Sequence, residues 1–186
     1  SDPSRDTPNL QFHIQPISTD KLGGANLHDF HAFTPTVANI RPTSRGEISI
    51  SSSDTKVNPK IKMNYLSTDE DRKVAADGIK LIRKIVMETN EFKKYEPEEF
   101  RPGSHLNDKE EIVKACSHYA QTIFHPVGTC KMGNDDSAVV SDKLKVHGLN
   151  KLRVIDASIM PNITSGNTNA PTIMIAEKGA DMILNP

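Results

Sequence analysis

Three short stretches of the chain alternate hydrophobic and polar residues, a pattern typical of strands that bury one face. They are "LQFHIQP" (residues 10–16), in which His13 lies on the polar face, "GEISISS" (residues 46–52) and "IKMNYL" (residues 61–66). Turn-forming residues separate the last two stretches, which favours an antiparallel pair. Residues 21–36 contain paired glycines followed by histidine and phenylalanine, and we predict a long loop there.

Apolar residues recur at helical spacing in two longer stretches. We predict helices over residues 68–90 and 108–124, each opened by a capping-box pair. The pairs are Ser67 with Glu70 and Asn107 with Glu110. The second helix must end near His125, because Pro126 disfavours helical backbone in the residue before it.

The C-terminal part of the chain is predicted to form a strand, a polar loop and a helix. The stretch "KLRVIDAS" (residues 151–158) has the branched apolar residues of a short strand. Residues 166–184 begin as a loop and become a third helix, which Asn167 or Asn169 can cap and whose first turn suits Pro171. Together the elements predict an α+β fold, a mostly antiparallel sheet flanked by helices.

The charge balance and the apolar content argue against two classes of partner. The 23 Lys and Arg residues nearly balance the 24 Asp and Glu residues, so the formal net charge is −1. A nucleic-acid-binding face needs an excess of basic residues, and we predict no nucleic-acid partner. No apolar stretch approaches the roughly 20 residues of a membrane-spanning helix, so membrane association is not evident. No signal peptide is recognisable either.

The two cysteines, Cys116 and Cys130, belong to no CxxC motif and to no zinc-type cluster. We interpret them as buried or half-buried thiols of a reducing compartment, which predicts a cytoplasmic protein. His28 and His31 are too weak a pattern for a ligand set, and no metal site is predicted. The chain opens with Ser1 and a polar segment, from which we expect a piece of a longer protein.

Two motifs carry candidate chemistry. In "IFHPVGTCKM", Pro126 fixes the backbone after His125 and Gly128 opens space beside the ring, which suits a general base that faces a ligand. The alternative is a histidine at a helix end that binds the last carbonyls. In "SGNTNAPT", a helix start offers amide N–H groups with partial positive charge, and Asn167 and Asn169 add side-chain donors. This group suits an anion, or a ring that becomes anionic when reduced.

Three longer motifs occur in a fixed order: "FHPVGTCKMG", "LRVIDASIMP" and "SGNTNAPTIMIAEKGADMI". Together they resemble the C-terminal segment of the glucose–methanol–choline (GMC) oxidoreductases, most of all the choline-dehydrogenase-like alcohol dehydrogenases. The stretches "LQFHIQP", "RPTSRGEISISS" and "NYLS" fit the same family, so the resemblance covers nearly the whole chain. It implies a portion of the substrate-binding domain in residues 1–150, and in residues 151–186 the returning strand and helix of the FAD-binding domain.

The resemblance also implies an active site. His125 would accept the hydroxyl proton of a small alcohol substrate, and Asn167 would be its partner. The oxidation of the alcohol would use FAD, bound in the full-length protein. The residues implied to contact FAD are Asp156, Ala157, Asn169 and Pro171.

The GMC oxidoreductases begin with a GxGxxG segment that binds the ADP half of FAD, and this chain contains no such motif. An N-terminal FAD-binding portion is therefore an expected partner of the chain. Alone, the chain is expected to bind little FAD and to self-associate through an apolar face. That face is expected around Val154, Ile155, Ile173 and Ile175.

Two other functions remain open: a flavin-containing hydroxynitrile lyase, and a non-catalytic ligand-binding fragment of the same fold. The presence of both His125 and Asn167 favours an enzyme over the binding fragment.

Overall fold

The computed structural model describes residues 1–20 and 26–185, which form two compact units. The first unit combines Ser1–Asn39 with Thr68–Ala120, and the second combines Ile40–Ser67 with Gln121–Pro186. Each unit is therefore built from two separate segments of the chain. The boundary expected near residue 150 concerns a domain shared with residues outside this chain, and it stays a prediction.

The strands of the first unit form a two-stranded antiparallel sheet. Strand β1 (Leu10–Gln15) pairs with β2 (Thr34–Asn39), so that Leu10 lies opposite Asn39. β1 confirms the strand predicted from alternation. β2 overlaps the end of the predicted loop. Pro35 in this stretch is unusual for a strand, and the backbone pairing with β1 stabilises the strand instead. Residues 21–25 of that loop lie outside the described part of the chain.

Three helices complete the first unit: α1 (Asp69–Glu88), α2 (Asn90–Lys93) and α3 (Lys109–Tyr119). α1 and α3 confirm two predicted helices. α3 ends earlier than predicted, because Ala120 already has extended backbone, with ψ of 143°. The core between these elements contains Ile112, which is fully buried.

The capping residues of α1 and α3 each lie one position after the predicted ones. The hydroxyl of Thr68 accepts a hydrogen bond from the backbone N–H of Asp71 at 3.2 Å. The carboxylate of Asp108 accepts from the N–H of Glu110 at 2.8 Å. Serine, threonine, aspartate and asparagine all cap well, so sequence alone does not choose between neighbours such as Ser67 and Thr68. The predicted Ser67 and Asn107 caps are thus wrong.

The second unit contains a second antiparallel pair, β3 (Glu47–Ser49) with β4 (Lys60–Lys62), and the helix α4 (Asn169–Leu184). The α+β class with short antiparallel sheets is confirmed. The single larger sheet is wrong, because each sheet among the described residues has two strands.

The strand predicted over residues 151–158 is also absent. Arg153 forms only an isolated bridge with Lys145, and the chain then makes one 3₁₀ turn at Ala157–Ile159. Its apolar side chains serve the core rather than a sheet. That core is a cluster of buried residues: Val140, Leu144, Ile159, Met160 and Ile175.

Helix α4 lies close to the segment around Ile155. A Cβ atom added at Gly179 would lie 2.4 Å from Cγ2 of Ile155, a distance that no folded side chain tolerates. Gly179 therefore permits the close approach that anchors α4 on the core. Within residues 1–20 and 26–185, no helix has the length and apolar character needed to cross a membrane.

Candidate active site

The backbone around His125 is held in an unusual conformation. Phe124 has φ of +64°, a region in which a bulky side chain is strained, and Gly128 has φ of +91°. A Cβ atom at Gly128 would lie 3.3 Å from the carbonyl oxygen of Met160. Glycine thus lets this turn approach the core, and the strain is concentrated beside the titratable ring.

Two backbone hydrogen bonds attach the segment after His125 to the 3₁₀ turn. The N–H of Cys130 donates to the carbonyl of Ser158 at 3.0 Å, and the N–H of Met132 donates to that of Ile159 at 2.8 Å. Because Ile159 is buried in the core cluster, these bonds attach the histidine motif to the core of the unit.

Both ring nitrogens of His125 have partners. The side-chain nitrogen of Asn167 lies 2.7 Å from Nε2, and Oγ1 of Thr168 lies 2.9 Å from Nδ1. The backbone N–H of Thr168 also points at Nδ1, at 3.3 Å. The ring is therefore not the helix-end histidine of the alternative interpretation, since α3 ends at Tyr119 and the ring binds the start of α4.

The start of α4 differs from the predicted one. Thr168 is the N-cap residue, rather than Asn167 or Asn169, and its side chain makes no capping hydrogen bond. Asn167 is directed to His125 instead, and Ser165 just before it has φ of +63°. The structure thus brings the two predicted catalytic residues into contact.

Thr168 is the site residue that the sequence analysis missed. A threonine directly before a predicted helix is a good capping candidate, and this property could have drawn attention to it. Its contact with a distant histidine has no local signature.

The four residues expected near FAD lie on two elements. The carboxylate of Asp156 accepts from the N–H of Ser158 at 2.8 Å and so begins the 3₁₀ turn, and Ala157 packs on the core cluster. Asn169 and Pro171 lie in the first turn of α4, where Asn169 is exposed. The hydroxyl oxygen of Ser158 is buried and has no hydrogen-bond partner among the described residues.

The loop after the histidine motif is held by a charged residue. The hydroxyl of Ser137 donates to Asp135, and the ammonium group of Lys131 lies 3.0 Å from both carboxylate oxygens. These hydrogen bonds lower the pKa of Asp135 to about 2, so this carboxylate stays charged at any working pH.

Other candidate residues have structural partners. Nδ1 of His28 lies 2.9 Å from the hydroxyl of Ser18, and its ring stacks on Phe30 at 5.0 Å between centroids. Across residues 1–20 and 26–185, no group of three His, Cys, Asp or Glu side chains could hold a metal ion. Cys116 and Cys130 are half-buried free thiols, and burial raises the pKa of Cys116.

The site thus combines, at a helix start, an imidazole held by an amide and a hydroxyl beside a buried core. The GMC oxidoreductase family model, for the C-terminal domain, matches residues 42–176. The chain therefore belongs to the GMC oxidoreductase family, as the motifs indicated.

Curated relatives are similar over nearly the whole chain. It is 45% identical to an oxygen-dependent choline dehydrogenase of Proteus mirabilis, over 95% of this chain and 31% of that protein. It is also 45% identical to an alcohol dehydrogenase (acceptor) of Pseudomonas putida, over 99% of this chain and 33% of that protein. The chain thus spans about a third of the length of these relatives.

Solved structures of the family are similar in fold. A formate oxidase variant of Aspergillus oryzae, studied for FAD modification, has a TM-score of 0.85 at 29% identity, over 96% of this chain and 32% of that chain. An FAD-dependent oxidoreductase from Chaetomium thermophilum has a TM-score of 0.75 at 30% identity, over 80% of this chain and 26% of that chain. These structural neighbours are FAD proteins, which supports FAD as the cofactor of the family.

Proposed function

We propose that this chain is the C-terminal catalytic portion of an FAD-dependent oxidoreductase that oxidises a primary alcohol. The observation that carries the proposal is the contact between Asn167 and Nε2 of His125. The similarity to a choline dehydrogenase and to an alcohol dehydrogenase supports the substrate class. A cytoplasmic location remains a prediction.

His125 is the proposed general base. A neutral imidazole with a lone pair on Nε2 accepts the hydroxyl proton, and the resulting alkoxide is a far better hydride donor than the alcohol. Asn167 lies at the same nitrogen, where its amide group orients the substrate oxygen. The strained Phe124 backbone and the core beneath the motif keep the ring in place.

The residues at the start of α4 and at the 3₁₀ turn fit FAD. A helix start whose N-cap side chain is engaged elsewhere leaves backbone N–H groups for a ring that becomes negative, and Asn169 adds an amide. The hydroxyl of Ser158 in the 3₁₀ turn is buried and has no hydrogen-bond partner among the described residues, which suits a polar ligand atom. When bound, FAD supplies the hydride acceptor. The residues proposed to hold it are Asp156, Ala157, Asn169 and Pro171.

Most contacts with the ADP half of FAD are proposed to lie in an N-terminal portion, because the chain spans about a third of its relatives. Choline is one candidate by similarity, but aromatic residues make up only 5% of the chain and none is Trp, so a cation-binding aromatic cage has little support here.

The test is anaerobic stopped-flow reduction of the bound flavin by a panel of primary alcohols that includes choline, with the full-length flavoenzyme that carries this chain. We expect His125→Ala to lower the reduction rate by about a hundred- to ten-thousand-fold, the usual effect of losing a general base. His147→Ala is a matched control, because His147 is exposed and its Nε2 lies 3.1 Å from the Gly133 carbonyl rather than at the start of α4.

Three outcomes would contradict the proposal. Equal reduction rates in His125→Ala and the parent would leave the histidine without a role in proton removal. A flavin that stays oxidised while a cyanohydrin is cleaved would favour the hydroxynitrile lyase, and failure of every substrate would favour a non-catalytic fold.

A further inference from the structure

Thr168 contacts Nδ1 of the His125 ring, while Asn167 contacts Nε2. Its side chain lies at the N-cap of α4, and the residue is only 7% exposed. Its hydroxyl oxygen is 2.9 Å from Nδ1 of His125, well within hydrogen-bond range. The backbone N–H of the same residue reaches the same nitrogen at the longer distance of 3.3 Å. One residue thus presents two different groups to Nδ1.

Thr68 and Thr168 are both N-cap residues, but only Thr68 uses its hydroxyl to cap its helix. Thr68 caps α1 in the usual way, with extended backbone (ψ of 149°) and its hydroxyl on the N–H of Asp71. Thr168 instead has helical backbone (ψ of 0°) and makes no capping bond to α4. The hydroxyl therefore serves the histidine rather than the helix.

The two groups of Thr168 constrain the tautomer of a neutral ring differently. The backbone N–H is only a donor, so it favours an unprotonated Nδ1 and places the ring proton on Nε2. The hydroxyl can donate or accept, so it also accommodates a proton on Nδ1 with the lone pair on Nε2. The amide nitrogen of Asn167, 2.7 Å from Nε2, donates to that lone pair and agrees with the second tautomer.

We propose that the hydroxyl of Thr168 is a positioning group that keeps the proton of neutral His125 on Nδ1 and so keeps the basic lone pair on Nε2. This inference rests on the proposed function, in which Nε2 takes the hydroxyl proton of the alcohol. Before the transfer, Nδ1–H donates to Oγ1 of Thr168. After it, Nε2 carries the proton of the alcohol, and Nδ1–H keeps its acceptor.

The experiment compares three variants of the full-length flavoenzyme. Thr168→Val removes the hydroxyl and keeps the shape, and Thr168→Ser keeps the hydroxyl. Thr172→Val is the matched control, because the hydroxyl of Thr172 is also at the start of α4 but donates to the carbonyl of Thr168, at 2.6 Å. Thr168→Ala replaces Thr168→Val if the latter does not fold.

The first measurement is the tautomer of His125, from ¹⁵N NMR of histidine-labelled enzyme without substrate, with the signal assigned through His125→Ala. We expect the proton on Nδ1 in the parent, in Thr168→Ser and in Thr172→Val. In Thr168→Val, the backbone N–H becomes the group that faces Nδ1, and the proton is expected to move to Nε2.

The second measurement is the anaerobic rate of flavin reduction by the alcohol. We expect Thr168→Val to lower it about three- to tenfold, the effect of one neutral hydrogen bond, and Thr168→Ser to restore most of it. An unchanged tautomer in Thr168→Val overturns the inference, even if the rate falls. An equal rate loss in Thr172→Val does the same. If no alcohol reduces the parent flavin, the proposed function fails, while the NMR measurement still decides the role of Thr168.

Discussion

At the scale of single residues, the side chain of Asn167 contacts Nε2 of His125, but the two residues are proposed to have different roles. In the proposed mechanism, His125 accepts a proton, whereas Asn167 contributes a hydrogen bond to Nε2 or to the substrate oxygen. Loss of a base removes a step of the reaction, and loss of one neutral hydrogen bond only weakens a contact. The two substitutions should therefore differ in size.

We expect Asn167→Ala to slow flavin reduction by about a few-fold to tenfold, because a neutral hydrogen bond contributes roughly 0.5–1.5 kcal/mol. Anaerobic stopped-flow measurement on the full-length enzyme compares it with His125→Ala. Asn185→Ala is the control at the other end of α4, where the side-chain amide donates to the carboxylate of Asp181 at 3.0 Å. If Asn167→Ala proves slower than His125→Ala, the assigned roles are reversed.

At the scale of elements, Arg83 joins α1 to the proline-rich connection that precedes α3. Its guanidinium forms two parallel hydrogen bonds with the carboxylate of Glu99, both at 2.9 Å, and two more with the carbonyls of Gly103 and Leu106. The exposed fractions of the two side chains are 17% and 12%. A connection without regular structure thus depends on one arginine.

We expect Arg83→Met to destabilise the protein by about 3 kcal/mol, because the carboxylate of Glu99 stays half-buried without its partner. Arg83→Lys should recover little of this, since an ammonium group cannot reproduce the planar pair of hydrogen bonds. Urea-induced unfolding gives the difference in free energy.

Lys73→Met is the control for the Arg83 variants. It breaks the exposed pair between Lys73 and Asp77 on the same helix, and pairs of this kind contribute little. Equal stability of Arg83→Met and Lys73→Met would show that the connection does not depend on Arg83.

At the scale of the whole molecule, the second unit exposes apolar residues of α4. Ile173 and Met174 are 55% and 60% exposed, although the next residue, Ile175, is buried. The predicted apolar face is therefore right for Ile173 and wrong for Ile175, whose side chain belongs to the core cluster. Val154 and Ile155 are half-buried against the same cluster.

We expect the chain of residues 1–186, produced alone, to bind FAD weakly and to self-associate through α4, because exposed apolar patches favour association. Light scattering after size-exclusion chromatography and titration with FAD measure the two properties. Met174→Glu should reduce the association, and Glu177→Ala, at an exposed polar position of the same helix, should not. A purified chain with stoichiometric flavin would refute the first expectation.

The sequence by itself determined the three longer helices, the family and the residue types of the site. Helical periodicity is local, so α1, α3 and α4 follow from spacing and capping residues within a few turns. The motifs around His125 and Asn167 are local too, and they indicated the family before any contact was known.

Only the tertiary structure decided which distant groups meet. β2 forms because β1 pairs with it, and residues 151–158 stay outside a sheet because their apolar side chains fill the core. The positions of His125 and Thr168 are 43 residues apart, so no local pattern links a capping threonine to a ring nitrogen. The choice between capping α4 and holding His125 depends on the backbone angles at Thr168, which packing sets.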